Sequence, residues 1–184
     1  MICKDALKLD GYLKAMADIQ SMADSDMQYD FGFEKINFLE SPEESFRSYC
    51  EEYIREDENI RGSMGWLNLG NTEGERILSF IEESYNQVLS FKVINTFEKE
   101  LDSILRVWIT NRVVKYSENK NKTSVNNYIL NYMMDELGLR GSKYWKLVCD
   151  SDFIYDAFFY NVSDIYILKI EDDYFILKFG VKYL

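Results

Sequence analysis

The segment IYILKIEDDYFILKF, residues 165–179, decides the fold of this chain. It contains two short runs rich in Ile, Tyr and Phe, Ile165–Ile170 and Tyr174–Phe179, on either side of the acidic segment Glu171-Asp172-Asp173. Runs of this composition around a polar break are typical of an antiparallel hairpin. A third run, Phe153–Tyr160, precedes them. The last third of the sequence therefore predicts a three-stranded antiparallel meander.

Upstream of this sheet the apolar spacing becomes that of helices. Residues 5–23 carry apolar side chains at helical spacing, and Ser41, Pro42 and Glu44 are suited to the N-cap, the first turn and the capping box of a second helix. Further helices are predicted at 72–85, 95–116 and 124–137. We therefore expect an α+β fold, a mostly helical body closed by a small C-terminal three-stranded antiparallel sheet.

Two stretches of the sequence are ambiguous in secondary structure, and a third marks a possible domain boundary. Residues 27–39 fit an irregular strand or a loop, and residues 86–94 fit a helix or a strand. The chain of 184 residues suits a single domain. A subdivision is expected only at 61–74, which holds four of the nine glycines and reads as a loop.

The negative charge is concentrated in the first third of the chain. The formal net charge is −11. Residues 1–60 contain 15 Asp and Glu against 6 Lys and Arg, residues 61–120 contain 8 against 8, and residues 121–184 contain 9 against 7. An acidic region with interleaved aromatic residues is either a solvated face or a docking surface for a basic partner. Nucleic-acid binding is disfavoured, because no third of the chain is net basic.

The residue types present restrict the chemistry. The chain has no histidine, which removes most zinc sites and the histidine-dependent nucleophile systems. Cys3, Cys50 and Cys149 lack metal-ligand spacing and are expected to be reduced thiols. Gly65 and Gly70 have the spacing of a phosphate-binding loop, but Asn71 stands where that loop needs a lysine. We expect no cofactor, no metal and no enzymatic activity.

The sequence gives no sign of a membrane protein. No stretch approaches the roughly 20 apolar residues that a membrane span needs. Acids occur within the first ten residues, which lack the apolar core of a signal peptide. A cytoplasmic protein is therefore expected.

In its general character the chain resembles the immunity proteins of contact-dependent growth inhibition and related polymorphic toxin systems. The closest likeness is the tyrosine- and phenylalanine-rich hairpin, Ile165–Leu168 through Asp172–Leu177. The resemblance implies a non-enzymatic protein that caps the active site or the substrate groove of a toxin. The acidity of the chain favours a basic toxin, such as a nuclease. Homodimerisation is compatible with it. The residues expected to bind the partner are Asp24, Asp26, Tyr29, Asp30, Glu34, Glu43, Glu44, Glu51, Glu52, Asp57 and Glu58.

Two other classes stay open. Carboxylates alone can hydrolyse glycosides or hold magnesium for phosphoryl transfer, so a carboxylate- and metal-dependent enzyme is one alternative. An acidic adaptor or nucleic-acid mimic of a phage or mobile element is the other. A mimic should carry a long regular track of acids, whereas the middle third of this chain is neutral.

Overall fold

The computed structural model describes residues 2–56, 90–93, 97–111, 127–137, 143–148 and 160–184. The helices are α1 (Ile2–Ala23), α2 (Pro42–Glu56), α3 (Phe97–Leu105) and α4 (127–131). Helices α3 and α4 continue as the π-helical turns Arg106–Asn111 and Tyr132–Glu136. The strands are β1 (Met27–Ile36), β2 (Ser90–Val93), β3 (Tyr144–Val148), β4 (Val162–Ile170) and β5 (Asp173–Tyr183).

The predicted small C-terminal sheet is wrong in size and in position. The described strands form one antiparallel sheet of five strands in the order β1-β5-β4-β3-β2. The β4–β5 hairpin lies inside it, because β1 from the first third of the chain pairs along β5 over ten residues, from Met27 opposite Tyr183 to Ile36 opposite Tyr174. The predicted strand Phe153–Tyr160 falls almost wholly outside the described residues. The fold is mixed α+β, with the sheet in its middle.

The two faces of the sheet support two separate cores. On the first face, aromatic and aliphatic side chains of β1, β4 and β5 pack against α1, α3 and α4, as Phe31, Phe179 and Trp108 illustrate. On the second face, Phe46 and Cys50 of α2 are buried with side chains of the central strands. Because both faces are covered, β4 and β5 are nearly continuous apolar runs.

Helix α1 shields the outer edge of β1. Asp10 Oδ1 accepts the backbone N–H of Phe33 at 2.9 Å, and Ser21 Oγ accepts that of Tyr29 at 2.8 Å. A hydrogen bond to Asp10 also raises the pKa of Lys14 one turn further on. Exposed strand edges recruit other chains, and capping their N–H groups with side chains removes that hazard.

Several local predictions agree with the structure. Helix α1 covers residues 5–23, and the predicted start of α2 is confirmed because the N–H of Glu44 donates to Ser41 Oγ at 3.2 Å. Residues 27–36 are a regular strand, and 90–93 of the second ambiguous stretch are a strand. The helices at 95–116 and 124–137 are present wherever they are described. The helix at 72–85 and the boundary loop 61–74 lie outside the described residues, so the single-domain organisation stays a prediction.

Candidate functional site

The buried ammonium of Lys178 organises the polar side chains on the second face of the sheet. Lys178, on β5, is only 3% exposed. Its Nζ lies 3.3 Å from Glu34 Oε1 and 3.8 Å from Asp30 Oδ2. The hydroxyl of Tyr49 donates to Glu34 Oε2 at 3.2 Å, and the hydroxyl of Tyr160 donates to Asp30 Oδ2. A buried charge needs such partners, so Asp30 and Glu34 serve first as counter-ions within the fold.

Two glycines make room for this cluster. Gly32 lies opposite Lys178 in the β1–β5 register, and a Cβ there would come within 2.8 Å of Lys178 Cε. Gly180 lies opposite Asp30, and a Cβ there would meet three ring atoms of Tyr160 at 2.7 Å each. The lysine stem and the tyrosine ring therefore occupy the space that side chains at these two positions would fill.

The structure places the other sequence-predicted residues at separate points. Asp24 and Asp26 lie in the turn between α1 and β1, where Asp24 Oδ1 accepts the N–H of Asp26. Tyr29 is buried in the first core and presents no surface to a partner. At about 3.3 Å per strand residue, Asp26, which precedes β1, is roughly 26 Å from Glu34, so these two acids lie far apart along the edge strand.

The predicted acids of helix α2 differ in exposure. Glu43 is half-buried in the first turn of α2, whereas Glu44 and Glu52 are exposed. The side chain of Glu51 and the residues Asp57 and Glu58 lie outside what the structure describes. Of the predicted residues, Glu34 and Glu52 are brought together, because both line one cleft.

This cleft, of about 180 Å³, lies between the end of β1 and helix α2. Ser45, Ser48 and Glu52 line its helical side because their spacing puts them along one row of the helix. The N–H of Leu39 donates to Ser45 Oγ at 2.9 Å, and that hydroxyl donates to the carbonyl of Ser41 at 2.6 Å. These bonds hold the connecting segment against α2 and so fix the shape of the cleft. Its lining residues are Glu34, Lys35, Ile36, Asn37, Ser45, Ser48, Tyr49 and Glu52.

The lining of the cleft is rich in acceptors. Among the lining residues that the structure describes, the one cation, Lys35, is paired with Asp173 at 2.7 Å. Within the described parts of the chain, Asn37, Ser48 and Glu52 make no side-chain hydrogen bond or ion pair, so their polar atoms are available to a ligand. Two carboxylates, a carboxamide and a hydroxyl suit a cationic hydrogen-bond donor.

A second polar cluster, on the first face, fastens α3 to the sheet. The indole Nε1–H of Trp108 donates to Asp164 Oδ2 at 2.8 Å, and Lys146 Nζ lies 3.1 Å from both Asp164 Oδ1 and Glu100 Oε1. Burial opposes the charge of Lys146, but the two carboxylates outweigh it and raise its pKa. Burial, together with the same carboxylates, raises the pKa of the Tyr166 hydroxyl. The donors and acceptors satisfy one another, which indicates a structural role.

A smaller hollow of about 70 Å³ separates α1 from α4. Tyr12 and Tyr128 are exposed at its rim with ring centroids 5.9 Å apart, and Tyr132 donates to the carbonyl of Asp5 at 3.0 Å. Burial raises the pKa of the Tyr132 hydroxyl. The described lining is mainly aromatic and aliphatic, and its one charged residue, Lys8, is paired with Asp5 at 3.1 Å.

Sequence reasoning missed Lys178 as the centre of the polar cluster. A signal was present, because the alternating positions 30, 32 and 34 put an acid, a glycine and an acid on one face of β1. Lys178 also interrupts an otherwise apolar run. Pairing the two features requires the β1–β5 register, which a single sequence does not show.

Within the described residues, no group of three or more Cys, Asp or Glu side chains converges as a metal site would require. None of the helices described there is long and apolar enough to span a membrane.

Comparison with known proteins supplies no family. No family model matches the chain, and no curated protein matches it in sequence. Among solved structures, two crystal forms of citrus MAF1 are similar to it. One has 12% sequence identity and a TM-score of 0.42, covering 94% of this chain and 98% of that chain. The other has 13% identity and a TM-score of 0.43, covering 93% and 96% respectively. Likeness at this level assigns neither a fold family nor a function.

Proposed function

We propose that this chain is a non-enzymatic binding protein that receives a basic protein surface along β1 and α2. The observation that carries the proposal is the cleft between these two elements. It is concave and lined by Glu34 and Glu52, and it offers acceptor groups that the fold does not use.

Electrostatics supports a basic partner. Residues 2–56 carry 13 acids against 6 bases, and the exposed members include Asp26, Glu44 and Glu52. An excess of one sign of charge steers an oppositely charged partner and raises the association rate. Since Lys178 already neutralises part of the charge of Asp30 and Glu34, recognition depends mainly on the exposed acids.

The resemblance to immunity proteins gives this proposal a specific form, in which the partner is a basic toxin domain. The exposed acids would then cover the toxin surface that contacts its own anionic substrate. Among the described residues, no group of three or more Cys, Asp or Glu converges to favour the alternative of a carboxylate- and metal-dependent enzyme.

The test is retention of proteins from the source cell on immobilised protein at low and high salt. The test variant carries Asp26→Asn, Glu44→Gln and Glu52→Gln, which removes three exposed charges and no buried group, and the wild type is its reference. We expect a basic protein that is retained by the wild type, released by salt and lost from the variant. Equal retention by both proteins would contradict the proposal. Growth rescue on co-expression with the retained protein would identify it as a toxin.

A further inference from the structure

We propose that the cleft between β1 and α2 is a binding site for the side chain of one arginine presented by the partner. This inference rests on the proposed function and specifies its central contact.

The size of the cleft sets the class of ligand. Pockets that enclose small-molecule ligands measure about 300–1,000 Å³. The cleft, at about 180 Å³, is smaller and suits a single side chain. A cofactor or nucleotide does not fit within its walls.

The chemistry of the walls selects a cation. Carboxylates on two different elements, Glu34 on β1 and Glu52 on α2, line the same space, and the one cation among the described lining residues, Lys35, is already held by Asp173. An anionic ligand would meet the carboxylate of Glu52 and that of Glu34, whose charge Lys178 offsets only in part. A divalent metal would need more converging carboxylates than the described residues supply.

The distribution of acceptors favours a guanidinium over an ammonium. Glu52 and Ser48 lie on the helical side of the cleft, and Glu34 and Asn37 lie on the side formed by β1 and the segment after it. The guanidinium of arginine is planar, carries five N–H donors and can bridge several acceptors, whereas lysine offers a compact point charge that is more strongly hydrated. Glu34 Oε2 keeps acceptor capacity after receiving the Tyr49 hydroxyl, because each carboxylate oxygen has two lone pairs.

The cleft is preorganised for this role. Lys178 Nζ, at 3.3 Å, holds Glu34 from behind, and Ser45 pins the connecting segment to α2. The two walls are therefore fixed before the ligand arrives. Less ordering entropy is then lost on binding.

The experiment uses N-acetyl-arginine amide as the probe, with N-acetyl-lysine amide and N-acetyl-citrulline amide as matched compounds. Binding is followed by backbone amide shifts in ¹⁵N-labelled full-length protein. We expect the arginine compound to move the resonances of Asn37, Ser48 and Glu52, with a dissociation constant on the order of 1 mM, as for a ligand of one side chain. The neutral citrulline compound should cause no such shifts.

Two variants test the site itself. Glu52→Gln should weaken binding of the arginine compound about five- to ten-fold, and Ser48→Leu, which changes no charge, should abolish it by filling the cleft. Asp18→Asn is the control, because it removes one exposed charge from α1, outside the cleft and outside the proposed partner-binding residues, and should leave binding unchanged. Equal effects of Asp18→Asn and Glu52→Gln, or equal binding of the lysine compound, would overturn the arginine site.

Failure of this inference is distinguishable from failure of the proposed function. If the salt-sensitive basic partner is retained while the arginine compound leaves the cleft resonances unmoved, the arginine site is refuted and the basic-partner function stands. If the arginine compound binds in the cleft as expected but no protein is lost from the triple variant, the arginine site is supported and the broader function is contradicted.

Discussion

The contact between Gly180 and the ring of Tyr160 gives the sharpest prediction about this fold. A Cβ at position 180 would lie 2.7 Å from three ring atoms, against the 3.4–4 Å of an ordinary contact. The ring would have to retreat by the difference, about 1 Å, yet it is buried and its hydroxyl is bonded to Asp30. The φ of Gly180 lies outside the left-handed region, so Gly180→Ala brings crowding without backbone strain.

The expected magnitude follows from two opposing terms. Overpacking costs about 1–3 kcal/mol. Alanine is favoured over glycine inside a strand by about 0.5–1 kcal/mol. Gly180→Ala should therefore lower the free energy of unfolding by about 0.5–2 kcal/mol in the wild-type background. After Tyr160→Ala the crowding is gone, and the same substitution should raise the free energy of unfolding by about 0.5–1 kcal/mol.

The assay is urea unfolding of the four proteins of this double-mutant cycle, followed by far-ultraviolet circular dichroism. The change of sign corresponds to a coupling energy of about 1–3 kcal/mol between the two positions. If Gly180→Ala has the same effect in both backgrounds, Tyr160 does not lie over Gly180, and the account of the second face is refuted.

Three further outcomes are expected. Gly11→Ala should stabilise the protein by about 1 kcal/mol in thermal unfolding, because Gly11 is exposed within α1 and a Cβ there meets nothing within 4 Å; an unchanged or lower melting temperature would contradict this. Lys178→Met should lower the free energy of unfolding by about 3 kcal/mol, the lower end for breaking a buried ion pair, because its carboxylate partners are partly exposed. A decrease of less than about 1 kcal/mol in urea unfolding would show that the ion pair is not buried. The pKa values of Lys146 and Tyr166 are raised in the folded state. Above about pH 10 the folded protein therefore holds more protons than the unfolded chain does. The contribution of these two groups to the free energy of unfolding should be fully present below that pH and should fall as the pH rises further. The free energy of unfolding should fall less steeply with pH in Lys146→Met than in the wild type; parallel curves for the two proteins would refute the raised pKa of Lys146.

The candidate site illustrates why acids found in the sequence do not translate directly into a surface. Asp30 and Glu34 fit an acidic patch as well as Glu44 and Glu52 do, yet the first two are counter-ions of a buried lysine. Their alternation with Gly32 is visible in the sequence. Their partner lies more than 140 residues away in the chain, so only the register of β1 on β5 identifies it.

The sequence by itself determined the local structure. The apolar spacing of α1, the Ser41 cap of α2 and the runs around Glu171-Asp172 each depend on neighbours within a few residues, which a sequence displays directly. Only the tertiary structure decided that β1 extends the C-terminal hairpin, that β2 and β3 complete a five-stranded sheet, and that α2 packs against the second face to form the cleft. The physical reason is that strand pairing and packing join residues far apart in the chain, and an apolar run is equally compatible with several partners until the whole core closes.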